Sequence, residues 1–100
     1  LKKYSELLEE QEKVKRKVER IKKEINKEKL KISEKELFKL AEIIPYEDWF
    51  IIFILKEGIK DEKWNYAQIG RRIGKSRALV RRKYLKTKNI LRRKQNVYTK

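Results

Sequence analysis

Cysteine, histidine and methionine are absent from this chain of 100 residues, proline occurs once and glycine three times. Without cysteine no disulfide framework can form, and without cysteine and histidine the usual transition-metal ligand sets cannot be assembled. Nucleophilic catalysis of the Cys-His or Ser-His type is excluded for the same reason. No apolar run approaches the roughly 18 residues of a membrane span; the longest is Trp49 to Leu55. These absences predict a protein with no cofactor, no metal, no small-molecule ligand, no membrane insertion and no enzymatic activity. The expected location is intracellular: cytoplasm or nucleoid, or the nucleus if the source is eukaryotic.

Acidic residues are missing from one whole region. From Lys63 to Lys100 there are 14 basic side chains and no Asp or Glu. Residues 1 to 50 carry 14 basic and 12 acidic side chains, net +2, while residues 51 to 100 carry 16 and 3, net +13, which together give the chain its +15. A charge run is ordinarily a solvated face, but so complete an asymmetry points to an acidic polymer as partner. A chain of this length builds only one modest core. Its 45% of charged residues suits a long solvated helix beside a small packed unit.

The long helix is visible in the first third. Tyr4, Leu7, Gln11, Val14, Val18, Ile21, Ile25, Glu28 and Ile32 follow one another at alternating spacings of three and four, and seven of these nine are apolar or aromatic. Almost everything between them is charged, and a stripe of period 3.5 is the signature of a coiled-coil seam. The reading is therefore a coiled-coil dimerisation helix over residues 1–32, with Tyr4, Leu7, Gln11, Val14, Val18, Ile21, Ile25 and Ile32 at the contact, making a homodimer. Parallel and antiparallel pairs and a higher oligomer all fit, and so does a lone amphipathic helix folded back on the rest of the chain.

A second unit is expected over residues 33–100. Ser33 and Glu36 have the spacing of a capping box, and Ile32 and Leu37 that of a hydrophobic staple, so a helix should begin at Glu34 and run to about Ile43. Pro45 then opens another, with Tyr46, Glu47 and Asp48 in its first turn, and Gly58 ends it. The run Trp49 to Leu55 is rich in β-branched and aromatic residues, as a buried strand would be. Helix is favoured by its flanks, and in either form these residues are core.

Residues 69–80, IGRRIGKSRALV, have the layout of a helix-turn-helix. Gly70 is small where two helices cross closely, Gly74 supplies a left-handed turn residue and Ser76 caps the second helix. Ile69, Ile73 and Val80 are spaced to close a core. On the second helix, over about 76–87, Val80 and Tyr84 point one way and Ala78, Arg82 and Lys86 the other, with Arg77 and Arg81 on the flank. Small residues at the helix start allow close entry into a groove, and the arginines can reach guanine edges or phosphates. The residues expected to touch nucleic acid are Lys75, Ser76, Arg77, Ala78, Arg81, Arg82 and Lys86, with Arg92, Arg93 and Lys94 beyond them.

Residues 45–48 (PYED), 64–70 (WNYAQIG), Ser76 and Tyr84 resemble the Myb/SANT tri-helical pattern of spaced core aromatics, over roughly residues 44 to 98. Ile43 or Ile44 stands where that family's first tryptophan is expected. Alternatively, residues 85–99 resemble the wing of a winged helix-turn-helix regulator, with 89–93 and 96–99 pairing as a β-hairpin around Lys94 and Gln95. Either resemblance implies double-stranded DNA binding through the second helix. The winged form would put Arg92, Arg93 and Lys94 on the backbone or in a minor groove.

The sequence thus reads as mainly α: a long N-terminal coiled-coil helix followed by a small helix-turn-helix domain, with a C-terminal β-hairpin wing as an option. The expected function is double-stranded DNA binding by a dimeric transcriptional regulator or DNA-organising protein. A DNA-binding fragment of a larger recombinase or replication protein is one alternative, and an RNA-binding basic module is another. Asp61 and Glu62 alone make a weak case for a metal-dependent nuclease.

Overall fold

The computed structural model describes the backbone of residues 2–98 and the side chains of residues 8–26 and 28–94. Five α-helices follow one another along the described residues: α1 (Lys2–Glu24), α2 (Glu34–Ile43), α3 (Glu47–Glu57), α4 (Tyr66–Ile73) and α5 (Arg77–Tyr98). No helix among the described residues is long and apolar enough to cross a membrane.

Helix α1 stops short of the expected boundary at residue 32. Asn26 turns the chain by accepting the Glu28 N–H on its side chain at 3.4 Å and the Lys29 N–H on its carbonyl at 2.9 Å. The segment then pairs briefly with the loop after α3, Lys31 N donating to Gly58 O at 2.8 Å and Lys60 N to Lys29 O at 2.7 Å. These two bonds return the chain toward α3. Ile32 lies in the connection, half-buried, and Glu28 is exposed.

The seam of α1 is used within the chain. Val18, Ile21 and Ile25 are buried in the chain's own core, and the helix ends at Glu24, so a single coiled-coil helix through residue 32 is not shown and this part of the seam is already covered. The physical reason is that Leu37, Ala41 and Ile44 offer the same apolar burial without the entropy cost of association. Val14 is half-buried and Gln11 exposed, while the side chains of Tyr4 and Leu7 lie outside the described residues.

Helix α2 starts where its signals place it, the Glu36 N–H donating to Ser33 Oγ at 3.3 Å. Its C-terminal end is capped from outside. The Lys17 ammonium, drawn from α1, donates to the carbonyls of Ala41 at 3.0 Å and Ile44 at 2.8 Å. Lys17 is itself buried, which lowers its pKa by desolvation against the opposing pull of Glu47, with Lys13 adding to the lowering. Pro45 does not open α3. It follows the C-cap Ile44 and helps to end α2, while the extended Tyr46 stands at the N-cap of α3.

Helix α3 is the centre of the molecule. Phe50, Ile51, Ile52, Phe53, Ile54 and Leu55 are all buried, so the helix is apolar all round, as a helix packed on every side must be. Helices α3, α4 and α5 pack pairwise, and α1 and α2 cover the remaining sides of α3. Phe53, Tyr66 and Tyr84 join the three C-terminal helices through their rings, at centroid distances of 6.3 Å for Phe53 to Tyr84 and 5.8 Å for Tyr66 to Tyr84.

No wing forms at the C-terminal end. Residues 85–98 continue α5, and so 89–93 and the described part of 96–99 are helical rather than paired strands. Lys94 and Gln95 are not residues that favour a tight hairpin, and no Gly or Pro interrupts the stretch. Thr87 and Leu91 also continue the helical face begun by Val80 and Tyr84, and Thr87 Oγ1 donates to the Lys83 carbonyl at 2.8 Å.

Candidate nucleic-acid interface

The turn between α4 and α5 is built from four residues with separate tasks. Asn65 starts α4 with a reciprocal capping box, accepting the Gln68 N–H at 2.8 Å while Gln68 Oε1 accepts the Asn65 N–H at 2.9 Å. Gly74 ends it in the left-handed region, φ 72° and ψ 35°. Gly70 lets the turn fold down on the helix, since Lys75 N donates to Gly70 O at 2.8 Å and a Cβ on Gly70 would stand 2.4 Å from Lys75 O. The close approach made by Gly70 is therefore to the turn's backbone rather than to a crossing helix. Ser76 then caps α5, accepting the Leu79 N–H at 3.2 Å.

This turn fixes the azimuth of α5. Val80, Tyr84 and Thr87 are buried and Leu91 is half-buried, all on the side facing the core. At about 100° per residue the opposite side carries Ala78, Arg82, Leu85, Asn89 and Arg93. Arg81, Lys86 and Arg92 flank it, and all of these outer residues are exposed. Lys75, Ser76 and Arg77 are exposed at the turn that leads into this face. Lys94, grouped with Arg92 and Arg93 from sequence, is exposed but lies on the azimuth of the packed side, beyond the last core contact.

Charge pairing sorts the cations further. Lys83 and Lys88, on the sides of α5 nearer α3, approach Asp48 at 3.9 Å and Glu57 at 3.8 Å. Arg72 of α4 is tied to Glu24 at 2.7 Å, and Arg20 to Glu47 at 2.9 Å. Among the described residues, Lys75, Arg77, Arg81, Arg82, Lys86, Arg92, Arg93 and Lys94 have no carboxylate within ion-pair distance. The cations that brace the fold and the cations that face outward on α5 are thus different residues.

Tyr84 anchors the inner face. Its hydroxyl donates to Glu57 at the end of α3, and burial, reinforced by that carboxylate, raises its pKa well above the usual phenol value. Glu57 in turn attracts Lys88, whose ammonium lies 5.5 Å from the Tyr84 ring centroid.

Two outward residues were missed by sequence reasoning. Leu85, 46% exposed, and Asn89 sit in the middle of the outer face, where an aliphatic side chain can meet a thymine methyl and an amide can read adenine. Leu85 lies within the expected helix, at the i+7 position from Ala78, and Asn89 is found by continuing the helical period past residue 87, where the expected wing would have ended it. Asp61 and Glu62 lie exposed on the loop before α4, Glu62 accepting the Trp64 indole N–H at 3.1 Å. Among the described residues no group of three or more His, Cys, Asp or Glu side chains is placed to hold a metal ion.

Comparison with known proteins gave no matching family model, no matching curated protein and no matching solved structure.

Proposed function

We propose that this chain binds double-stranded DNA, with α5 as the recognition helix and its first turns in the major groove. The observation that carries this reading is the outer face of α5, where Arg81 and Arg82 lie beside the small Ala78 without a carboxylate partner among the described residues. A helix with small residues at its start can approach base edges closely, and its N-terminal dipole favours the phosphates on either wall. The tri-helical packing of α3, α4 and α5, with aromatics at its centre, supports the Myb/SANT-like form of the reading over the winged form.

Arg77, Arg81 and Arg82, on the first turns of α5, are assigned to base edges or groove walls, and Asn89, about 16 Å along the axis from residue 78, to the groove rim. The described part of α5 beyond residue 90 is too far along the helix axis to share a groove about 12 Å wide with residue 78, so Arg92 and Arg93 are assigned to phosphates. Transcription regulation or DNA organisation is the process such a module serves.

The test is titration of labelled duplex DNA and of matched RNA over a salt series. The expected result is tighter binding to duplex DNA, with an affinity that falls steeply and linearly in the logarithm of salt concentration. Equal binding to both polymers would replace this reading with a general polyanion or RNA interaction.

A further inference from the structure

Two strongly basic chains can pack closely only where their charge balances, and the first half of α1 is such a place. Residues 1–14 hold three basic side chains (Lys2, Lys3, Lys13) and four acidic ones (Glu6, Glu9, Glu10, Glu12), net −1, in a chain of net +15. The apolar seam of α1 also outruns its cover here. From Val18 onward it is buried by α2 and α3, but Val14 is half-buried and Gln11 exposed, and Leu8, on the flank of the seam, is 46% exposed. A groove of about 740 Å³ opens between this stretch and α2, lined by apolar Val14, Phe38 and Ala41 and by charges of both signs, Glu10, Lys13 and Glu42 among them.

We infer that this groove receives the first half of α1 from a second copy of the chain, the two helices running antiparallel and crossing between Leu8 and Val14. Such a contact is isologous, each copy offering both the helix and the groove. A parallel coiled coil would need Val18 and Ile21, 1% and 0% exposed, to leave the core of their own chain. It would also set the two basic halves side by side. The antiparallel arrangement carries the basic halves to opposite ends, beyond the ~8 Å reach of charge at physiological ionic strength. With the crossing near residue 11, it sets Glu9 level with the partner's Lys13. About three helical turns overlap, an interface at or below the ~1,200 Å² lower bound of stable complexes, so the dimer is concentration-dependent. This inference does not depend on the DNA-binding reading, and its test contains no DNA.

Sedimentation equilibrium of the full chain from micromolar to millimolar concentration should show a reversible equilibrium between 12.3 kDa and twice that mass. Leu8→Glu, at an exposed position outside the core, should raise the dissociation constant at least tenfold. Its urea unfolding should match that of the parent at a concentration where both are monomers. Because the chain has no cysteine, Lys23→Cys accepts a single spin label at an exposed position. An antiparallel pair separates the two labels by about 35 Å along the helix axes, at 1.5 Å per residue, and a parallel pair holds them roughly 10 Å apart. A single 12.3 kDa species throughout, a dimer indifferent to Leu8→Glu, or labels near 10 Å would each overturn the inference.

Discussion

The Arg72 guanidinium grips the last residue of α1 twice, Nε donating to Glu24 Oε2 at 2.7 Å and Nη2 to the Glu24 carbonyl at 3.0 Å. One of the basic residues of α4 is thereby spent on joining that helix to the N-terminal one. Both side chains are partly exposed, so the ionic part of the bond is screened. Arg72→Ala should lower the urea unfolding free energy by about 1 kcal/mol, and Arg72→Lys, which lacks the planar fork, should recover less than half of that. An Arg72→Ala chain as stable as the parent would show the tie to be dispensable.

Lys17 has a larger structural part, because it is itself buried and satisfies two carbonyls at the C-terminal end of α2. Lys17→Met keeps the aliphatic stem and removes the donors. It should cost about 1–3 kcal/mol in denaturant titration, the expected penalty for unsatisfied buried polar groups. Lys17→Glu, which sets an acid against helix-end carbonyls, should leave little folded chain by circular dichroism.

The two glycines of the turn should respond differently to alanine. At Gly74 a Cβ meets nothing within 4 Å and the cost is the left-handed backbone alone, about 1 kcal/mol. At Gly70 the added atom collides with the Lys75 carbonyl, and because backbone cannot swing away, at least about 2 kcal/mol is expected. Thermal melts of the two variants should therefore rank Gly70→Ala well below Gly74→Ala.

Alkaline pH should weaken the fold through Tyr84. Its folded pKa is raised above the ordinary value of 10.0, so its contribution is fully present below that value. Above it the unfolded chain releases the phenolic proton while the folded chain retains it, and stability falls as pH rises. Lys17 acts in the opposite sense just below its ordinary 10.5, because its folded pKa is lowered. Tyr84→Phe should lose about 1–2 kcal/mol near neutral pH, the worth of a hydrogen bond to a carboxylate. Its stability should also decline less steeply between pH 10 and 11 than that of the parent; identical slopes would contradict the assignment.

On the outer face, Arg77→Ala and Arg82→Ala should weaken DNA binding with unfolding curves unchanged, by about 1–3 kcal/mol wherever the arginine reads a base. Arg93→Ala should weaken all duplexes alike and reduce the salt slope by about 0.9. Val80→Asp, at a fully buried position, should unfold the chain by burying an unpaired charge. Undiminished affinity in both Arg77→Ala and Arg82→Ala would rule out this face as the binding surface.

Much of the helical layout, including α4, its turn and α5, was legible in the sequence, because its signals are local. Ser33, Gly58, Gly74 and Ser76 act on backbone within a few residues of themselves, and each stands at the helix end expected of it. The alternation of Val80 and Tyr84 with Ala78 and Arg82 likewise follows from helical geometry alone. Pro45 was misassigned because a proline can begin one helix or follow another, and only the extended backbone of Ile44 and Tyr46 distinguishes the two. The wing failed for a related reason: residues 89–99 have no strong local preference, and the contacts of Thr87 and Leu91 with the core decide the matter.

The sequence by itself determined most helix ends and the sign of the charge on the C-terminal half, since helix signals are local and charge is additive. An acid-free stretch after Glu62 is basic in any fold. Tertiary structure decided which apolar stripe meets which. The period of α1 specifies that a narrow face must be covered but not by what, because burial is non-directional and a second chain or α2 and α3 satisfy it equally. Long-range partners, Lys17 with the end of α2 and Arg72 with Glu24, selected the folded-back arrangement for the second half of α1. The same partners left the outward arginines of α5 as cations the fold does not use.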